Sequence, residues 1–80
     1  MPTILRDGAY RFYWYSHEPN EPPHVHIDHG KMTAKFWLQP VSLARNMGFP
    51  AHELRRIQSI VESNQTNFLE RWHGYFGNQH

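Results

Sequence analysis

The sequence contains no cysteine, so neither a disulfide framework nor a thiolate metal site is available to it. It has no long apolar run, so no membrane-spanning helix is expected. Met1-Pro2-Thr3 leads straight into a strand-like stretch without a signal-peptide pattern. Charge of one sign is never blocked. Eight Lys/Arg against seven Asp/Glu leave a net +1 with histidines neutral, and the basic residues are scattered. That pattern argues against the clustered basic face typical of DNA binders. There is no phosphate-cradling glycine loop. Ser16, Ser42, Ser59 and Ser63 lack the context of a nucleophile elbow, which speaks against a serine hydrolase. These absences leave a cytoplasmic globular protein, and 80 residues is the size of one domain, 1–80.

Aromatic rings and histidines are what the chain does have. Three tryptophans, four tyrosines and five phenylalanines offset the small core of so short a chain, because each ring buries a large apolar area. Of seven histidines, His17, His24, His26 and His29 fall within thirteen residues. This is the one anomaly of composition.

The first forty residues read as strands. Asp7-Gly8 is a hairpin signal. A two-residue turn there sets Leu5 opposite Tyr10 and Thr3 opposite Phe12, with the second strand running Tyr10 to Ser16. Phe12 and Trp14 share one face of it, and Arg11, Tyr13 and Tyr15 the other. Pro19, Pro22 and Pro23 make residues 17–23 a loop with an extended exit. His24 to Asp28 follows as a strand, and His29-Gly30 turns the chain into Met32 to Leu38. A turn of those two residues pairs His26 with Thr33 and His24 with Lys35. One face is then Val25, Ile27, Met32, Ala34 and Phe36; the other is His24, His26, Thr33, Lys35 and Trp37. Val41 and Leu43 alternate in a way that suggests a fifth, edge strand over 41–46.

Pro50 suits the first turn of a helix, and Glu53 complements its dipole. Leu54, Ile57, Val61, Phe68, Trp72 and Phe76 keep one helical phase. The polar patch Asn64-Gln65-Thr66-Asn67 interrupts that stripe without shifting its phase. One helix, bent or broken at the patch, is expected. Unbroken from Ala51 to Phe76 it spans about 39 Å, so its end overhangs and exposes Tyr75 and Phe76 to a second copy or a partner. The expected fold is α+β: a small antiparallel sheet of four to five strands packed on a long C-terminal helix.

The His24-Val25-His26 segment carries the chemistry, and three readings of it stand. A His-x-His pair on a strand projects both imidazoles from one face about 7 Å apart at the Cα atoms. His24 and His26 then suit two ligands of a divalent metal such as zinc, with His17, His29 or Asp28 as the third. Without metal, and with no cofactor expected, His24 and His26 serve as an acid–base pair and Lys35 as the charge stabiliser. Those are the roles that cleavage of an RNA phosphodiester needs. Tyr13, Tyr15 and Trp37 then bind substrate by stacking on its bases. In the third reading both histidines are structural, His24 packed on the prolines and His26 satisfied across the strands.

Met1-Pro2-Thr3, the aromatic Tyr13-Trp14-Tyr15-Ser16, Glu21-Pro22-Pro23-His24-Val25-His26, Ala34-Lys35-Phe36-Trp37-Leu38, the Gly48-Phe49 step and Trp72 together resemble one small bacterial family, domain of unknown function 4160. The resemblance covers nearly the whole chain, and Pro-Pro-His-x-His is its most specific element. It implies one component of a two-gene toxin–antitoxin-like module, because genes of this family often adjoin those of domain of unknown function 2442. The chain would then act by binding a small partner protein encoded by a neighbouring gene. A small RNA-acting enzyme, a ribonuclease-type toxin, is the alternative.

Overall fold

The computed structural model describes residues 3–15 and 20–77. Five strands follow one another as β1 (Thr3–Asp7), β2 (Tyr10–Tyr13), β3 (His24–His29), β4 (Met32–Leu38) and β5 (Val41–Met47). Two helices follow, α1 (Ala51–Ser63) and α2 (Gln65–Phe76). The sheet is antiparallel in the order β1-β2-β3-β4-β5, a meander in which each strand pairs with its sequence neighbours. The fold is the expected α+β, with β5 as a true edge strand.

The two hairpins with glycine turns differ from expectation in the same way. Gly8 and Gly30 have φ of 61° and 62°, while Ala9 and Lys31 keep negative φ. A two-residue turn with glycine at its first position is the II′ type, so the loops are Gly8-Ala9 and Gly30-Lys31. Asp7 therefore pairs with Tyr10 and Leu5 with Phe12; beyond an irregularity, Thr3 pairs with Tyr13. His29 pairs with Met32, His26 with Lys35 and His24 with Trp37. Each register moves by two residues. A shift of one would have exchanged the faces; a shift of two preserves them. The second strand ends at Tyr13 rather than Ser16, which lies outside the described residues.

Phe12, Val25, Ile27, Ala34, Phe36 and Leu38 form the helix-facing side of the sheet. Ile57, Val61, Phe68 and Trp72 cover it, all fully buried. The stripe runs through both helices in a single phase, but the helix is broken at Asn64 (φ −110°, ψ 10°). The Asn64 side-chain Nδ2 donates to Ile60 O at 2.8 Å, and Gln65 Nε2 donates to Leu38 O at 2.7 Å. The polar patch thus ends one helix and pins the next to the sheet. The longest dimension of the Cα trace is 35 Å, and the end of α2 is packed on its neighbours rather than overhanging. Phe76 packs on Trp14 and Trp72, with ring centroids 6.2 and 4.3 Å away, whereas Tyr75 stays half exposed. Arg71 Nη1 donates to Ile4 O at 2.9 Å and ties α2 to the first strand. Among the described residues no helix is long and apolar enough to cross a membrane.

Candidate functional site

The face of the sheet away from the helices carries a row of four cross-strand partners. Tyr13 of β2 sits opposite His26 of β3, His26 opposite Lys35 of β4, and Lys35 opposite Arg45 of β5. The two-residue register shift is what brings Lys35 directly against His26. One end of the row is aromatic and the other cationic.

At the aromatic end, His26 stacks on Tyr13 with centroids 5.4 Å apart and planes 21° from parallel. Tyr15 meets the same imidazole edge-on at 4.8 Å. The Tyr13 hydroxyl donates to Asp28 Oδ1 at 2.9 Å. The Arg11 guanidinium lies 4.4 Å from the centre of the Tyr13 ring and 3.5 Å from Asp28 Oδ2. Burial raises the Tyr13 phenol well above its ordinary range, and its bonds to Tyr15 and Asp28 act in the same direction. Tyr13 is therefore a neutral, buried support for the imidazole beside it.

His24 has a different environment. It is 0% exposed, with its ring 5.0 Å from Trp72, 5.1 Å from His26 and 5.9 Å from Trp37. Its Nδ1 lies 3.0 Å from Pro22 O. A carbonyl only accepts, so that nitrogen carries a proton. The Glu21 carboxylate is 3.7 Å from the same nitrogen. Leu38 N donates to Pro23 O at 3.0 Å, so the Pro22-Pro23 segment that faces His24 is anchored to β4.

Lys35 donates to the Glu21 carboxylate, and its ammonium lies 4.7 Å from the centre of the Trp37 ring. A concavity of about 360 Å³ opens over this part of the sheet; Tyr15, Glu21, His26, Lys35, Arg45 and Met47 are among the residues that line it. Of the six residues singled out from sequence, Tyr13, Tyr15, His26 and Lys35 meet at this concavity. His24 is buried beside His26, and Trp37 lies alongside Lys35 outside the lining. Arg45 and Met47 escaped sequence reasoning because they lie on the strand whose pairing was least certain. Glu21 escaped it because a loop residue carries no periodicity. Arg45 becomes visible only with the register of β5 on β4, which is irregular between Lys35 and Phe36.

Two of the groups expected to complete a metal site, Asp28 and His29, are engaged elsewhere. Asp28 is engaged by Tyr13 and Arg11. His29 turns to the helix side, edge-on to Tyr10 at 5.5 Å and 3.7 Å from the Glu53 carboxylate. Among the described residues no group of three His, Asp or Glu side chains converges to hold a metal ion. His17 lies outside the described residues. On the helix side a second concavity of about 330 Å³ lies between the first hairpin and α1, where the Tyr10 hydroxyl donates to Glu53 Oε1 at 2.8 Å. Burial raises the Tyr10 phenol, and Glu53 raises it further.

No curated protein and no solved structure matches the chain. A family model does, the one described as Domain of unknown function (DUF4160), and its match runs over residues 9–73. That span takes in β2 to β5, α1 and α2 as far as His73, and so includes His26, Lys35 and Arg45. The Pro-Pro-His-Val-His segment and the aromatic strand, which bear the resemblance in the sequence, fall inside it, and the chain belongs to the DUF4160 family.

Proposed function

We propose that the chain acts by binding, as one component of a two-gene toxin–antitoxin-like module in a bacterial cytoplasm. Its ligand in this reading is the small partner protein encoded by the neighbouring gene. The observation that carries it is the state of β5. This edge strand is exposed at every position but Val41, and it displays Leu43 at 45% and Met47 at 52% exposure. A long edge strand with apolar side chains is a template for another chain, and natural proteins usually blunt such edges. Here Arg45 is the only charged residue along it.

The test is co-expression with the neighbouring gene and co-purification through a tag on this chain. Wild type is expected to retain the partner in stoichiometric amount. Leu43→Glu/Met47→Glu is expected to lose it while keeping its melting temperature, because both side chains already face water. Recovery of wild-type chain alone at physiological salt, with the partner expressed and soluble, would overturn the proposal. A homodimer through the same edge is read in the same experiment from the size of the chain purified alone.

A second reading, a small RNA-acting enzyme, draws support from the ring cluster of Tyr13, Tyr15 and His26 beside Lys35 and Arg45. In it His26 and Lys35 face the phosphodiester, while His24, with Nδ1 bonded to Pro22, holds the His26 ring in place. Induction of the chain alone would then arrest growth and cleave cellular RNA, and His24→Ala/His26→Ala would abolish both effects. Intact RNA and normal growth with wild type would count against it.

A further inference from the structure

We propose that the concavity on the open sheet face binds one nucleotide unit, an aromatic base carrying a phosphate, with Arg45 as the phosphate-binding residue. The inference rests on the second reading only in placing nucleotide chemistry on this face; it requires no cleavage.

The row Tyr13–His26–Lys35–Arg45 separates an aromatic end from a cationic end by two strand spacings, about 10 Å between the backbones of His26 and Arg45. A mononucleotide has the same polarity, with a flat π-surface at one end and a dianion at the other. The volume of about 360 Å³ falls in the range of small-ligand sites. At the aromatic end the His26 ring is held by Tyr13 and Tyr15 at 5.4 and 4.8 Å. The Tyr13 and Tyr15 rings lie 87° apart, so this end is a cluster of crossed rings. A base that meets it meets rings whose orientations are already fixed, at little cost in entropy. At the cationic end the two positive charges differ. Lys35 is already bonded to Glu21, so its charge is largely balanced. Arg45 is exposed and has no ion-pair partner among the described residues. A guanidinium presents a planar fork of donors to phosphate oxygens. Glu21, on the rim between the two ends, is an acceptor for a base amine or a ribose hydroxyl.

The ligand has two sources, a free nucleotide or a nucleotide within single-stranded RNA, and the test separates them. Purified full-length chain is titrated with adenosine 5′-monophosphate, adenosine, inorganic phosphate and hexauridylate, with binding read by calorimetry and by changes in the Tyr15 and His26 resonances. Saturable binding of the monophosphate is expected, at least tenfold tighter than adenosine or phosphate alone. Arg45→Ala is expected to weaken it at least tenfold with no change in melting temperature, and His26→Ala to remove the advantage over phosphate. Hexauridylate binding more tightly than the monophosphate, with the same dependence on Arg45, identifies RNA as the source; equal or weaker binding identifies the free nucleotide. Failure of both probes to saturate at millimolar concentration overturns the proposal, as does wild-type affinity in Arg45→Ala. RNA cleavage on induction together with such a failure would retain the second reading and remove this site from it.

Discussion

His24 and Trp72 meet ring to ring at 5.0 Å although they arrive from β3 and α2. Two residues further along the strand, His26 stands in the open concavity. The motif therefore contains two histidines of different kinds. Truncating His24 removes a fully buried ring and leaves Pro22 O without its donor, which costs about 2–4 kcal/mol. Truncating His26, half-buried among rings, costs about 1 kcal/mol or less. Urea midpoints of His24→Ala and His26→Ala check the difference. Equal midpoints would show that His24 does not belong to the core.

Tyr10 and Tyr13 give the protein an alkaline weakness. Both phenols are raised in the folded state, Tyr10 by burial and Glu53, Tyr13 by burial with Tyr15 and Asp28. Below pH about 10 both phenols keep their protons, folded or unfolded, and stability is fully present. Above that pH the unfolded chain loses these protons first. It then binds fewer protons than the folded state, and stability falls as pH rises towards the folded-state values. Each group contributes up to about 1.4 kcal/mol per pH unit in that window. Urea midpoints from pH 8 to pH 11 are expected to fall, and Tyr10→Phe/Tyr13→Phe to flatten the fall after a loss of about 1 kcal/mol per hydroxyl at neutral pH. An equally steep fall in the double variant would assign it to other groups.

Much of this architecture is legible in the chain, and the misses share a cause. The alternation of Val25, Ile27, Ala34 and Phe36 against His24, His26 and Lys35 separates core from open face whatever the register, because period-two patterns survive a shift of two. What they leave open is which residues are opposite, and here the glycine decides. Asp7-Gly8 and His29-Gly30 both look like complete turns, yet the II′ geometry puts glycine first and pushes Asp7 and His29 back into their strands. That choice hid the pairing of His26 with Lys35. The rest of the row, Tyr13 on one side and Arg45 on the other, depends on the β2–β3 loop and on the irregular register of β5. A structural His24 is one of the readings the motif allows, but its cover by Trp72, 48 positions away in sequence, was hidden for another reason: no local pattern reports such a contact.

The same geometry makes a test of the turns. A Cβ added at Gly30 would meet nothing within 4 Å, so Gly30→Ala is sterically free and carries only the cost of φ +62° for an L-residue. That cost is about 1–2 kcal/mol. Gly8→Ala, at φ +61° and equally open, is expected to match it. Chemical denaturation of the two variants measures both. A neutral result at Gly30 would mean that the turn tolerates another geometry and that the pairing of His26 with Lys35 is not locked by it.

Two glutamines that look alike in sequence test the break between the helices. Gln65 Nε2 donates to Leu38 O at 2.7 Å across 27 residues, in a part-buried position. Gln58 Nε2 reaches Glu62 Oε2 at 3.2 Å within α1, at the exposed surface. Alanine has the higher helix propensity at either site, by a few tenths of a kcal/mol. Removing the Gln65 amide, however, leaves a carbonyl at the end of β4 without its partner and frees the start of α2 from the sheet. Gln65→Ala is therefore expected to lose about 1–2 kcal/mol, and Gln58→Ala to stay within about 0.5 kcal/mol of wild type. Native-state hydrogen exchange adds the spatial prediction: in Gln65→Ala protection falls across α2 and at Leu38, while the amides of α1 from Ile57 to Val61 keep theirs. Uniform loss over both helices would instead make them one cooperative unit, with Asn64 a bend rather than a joint.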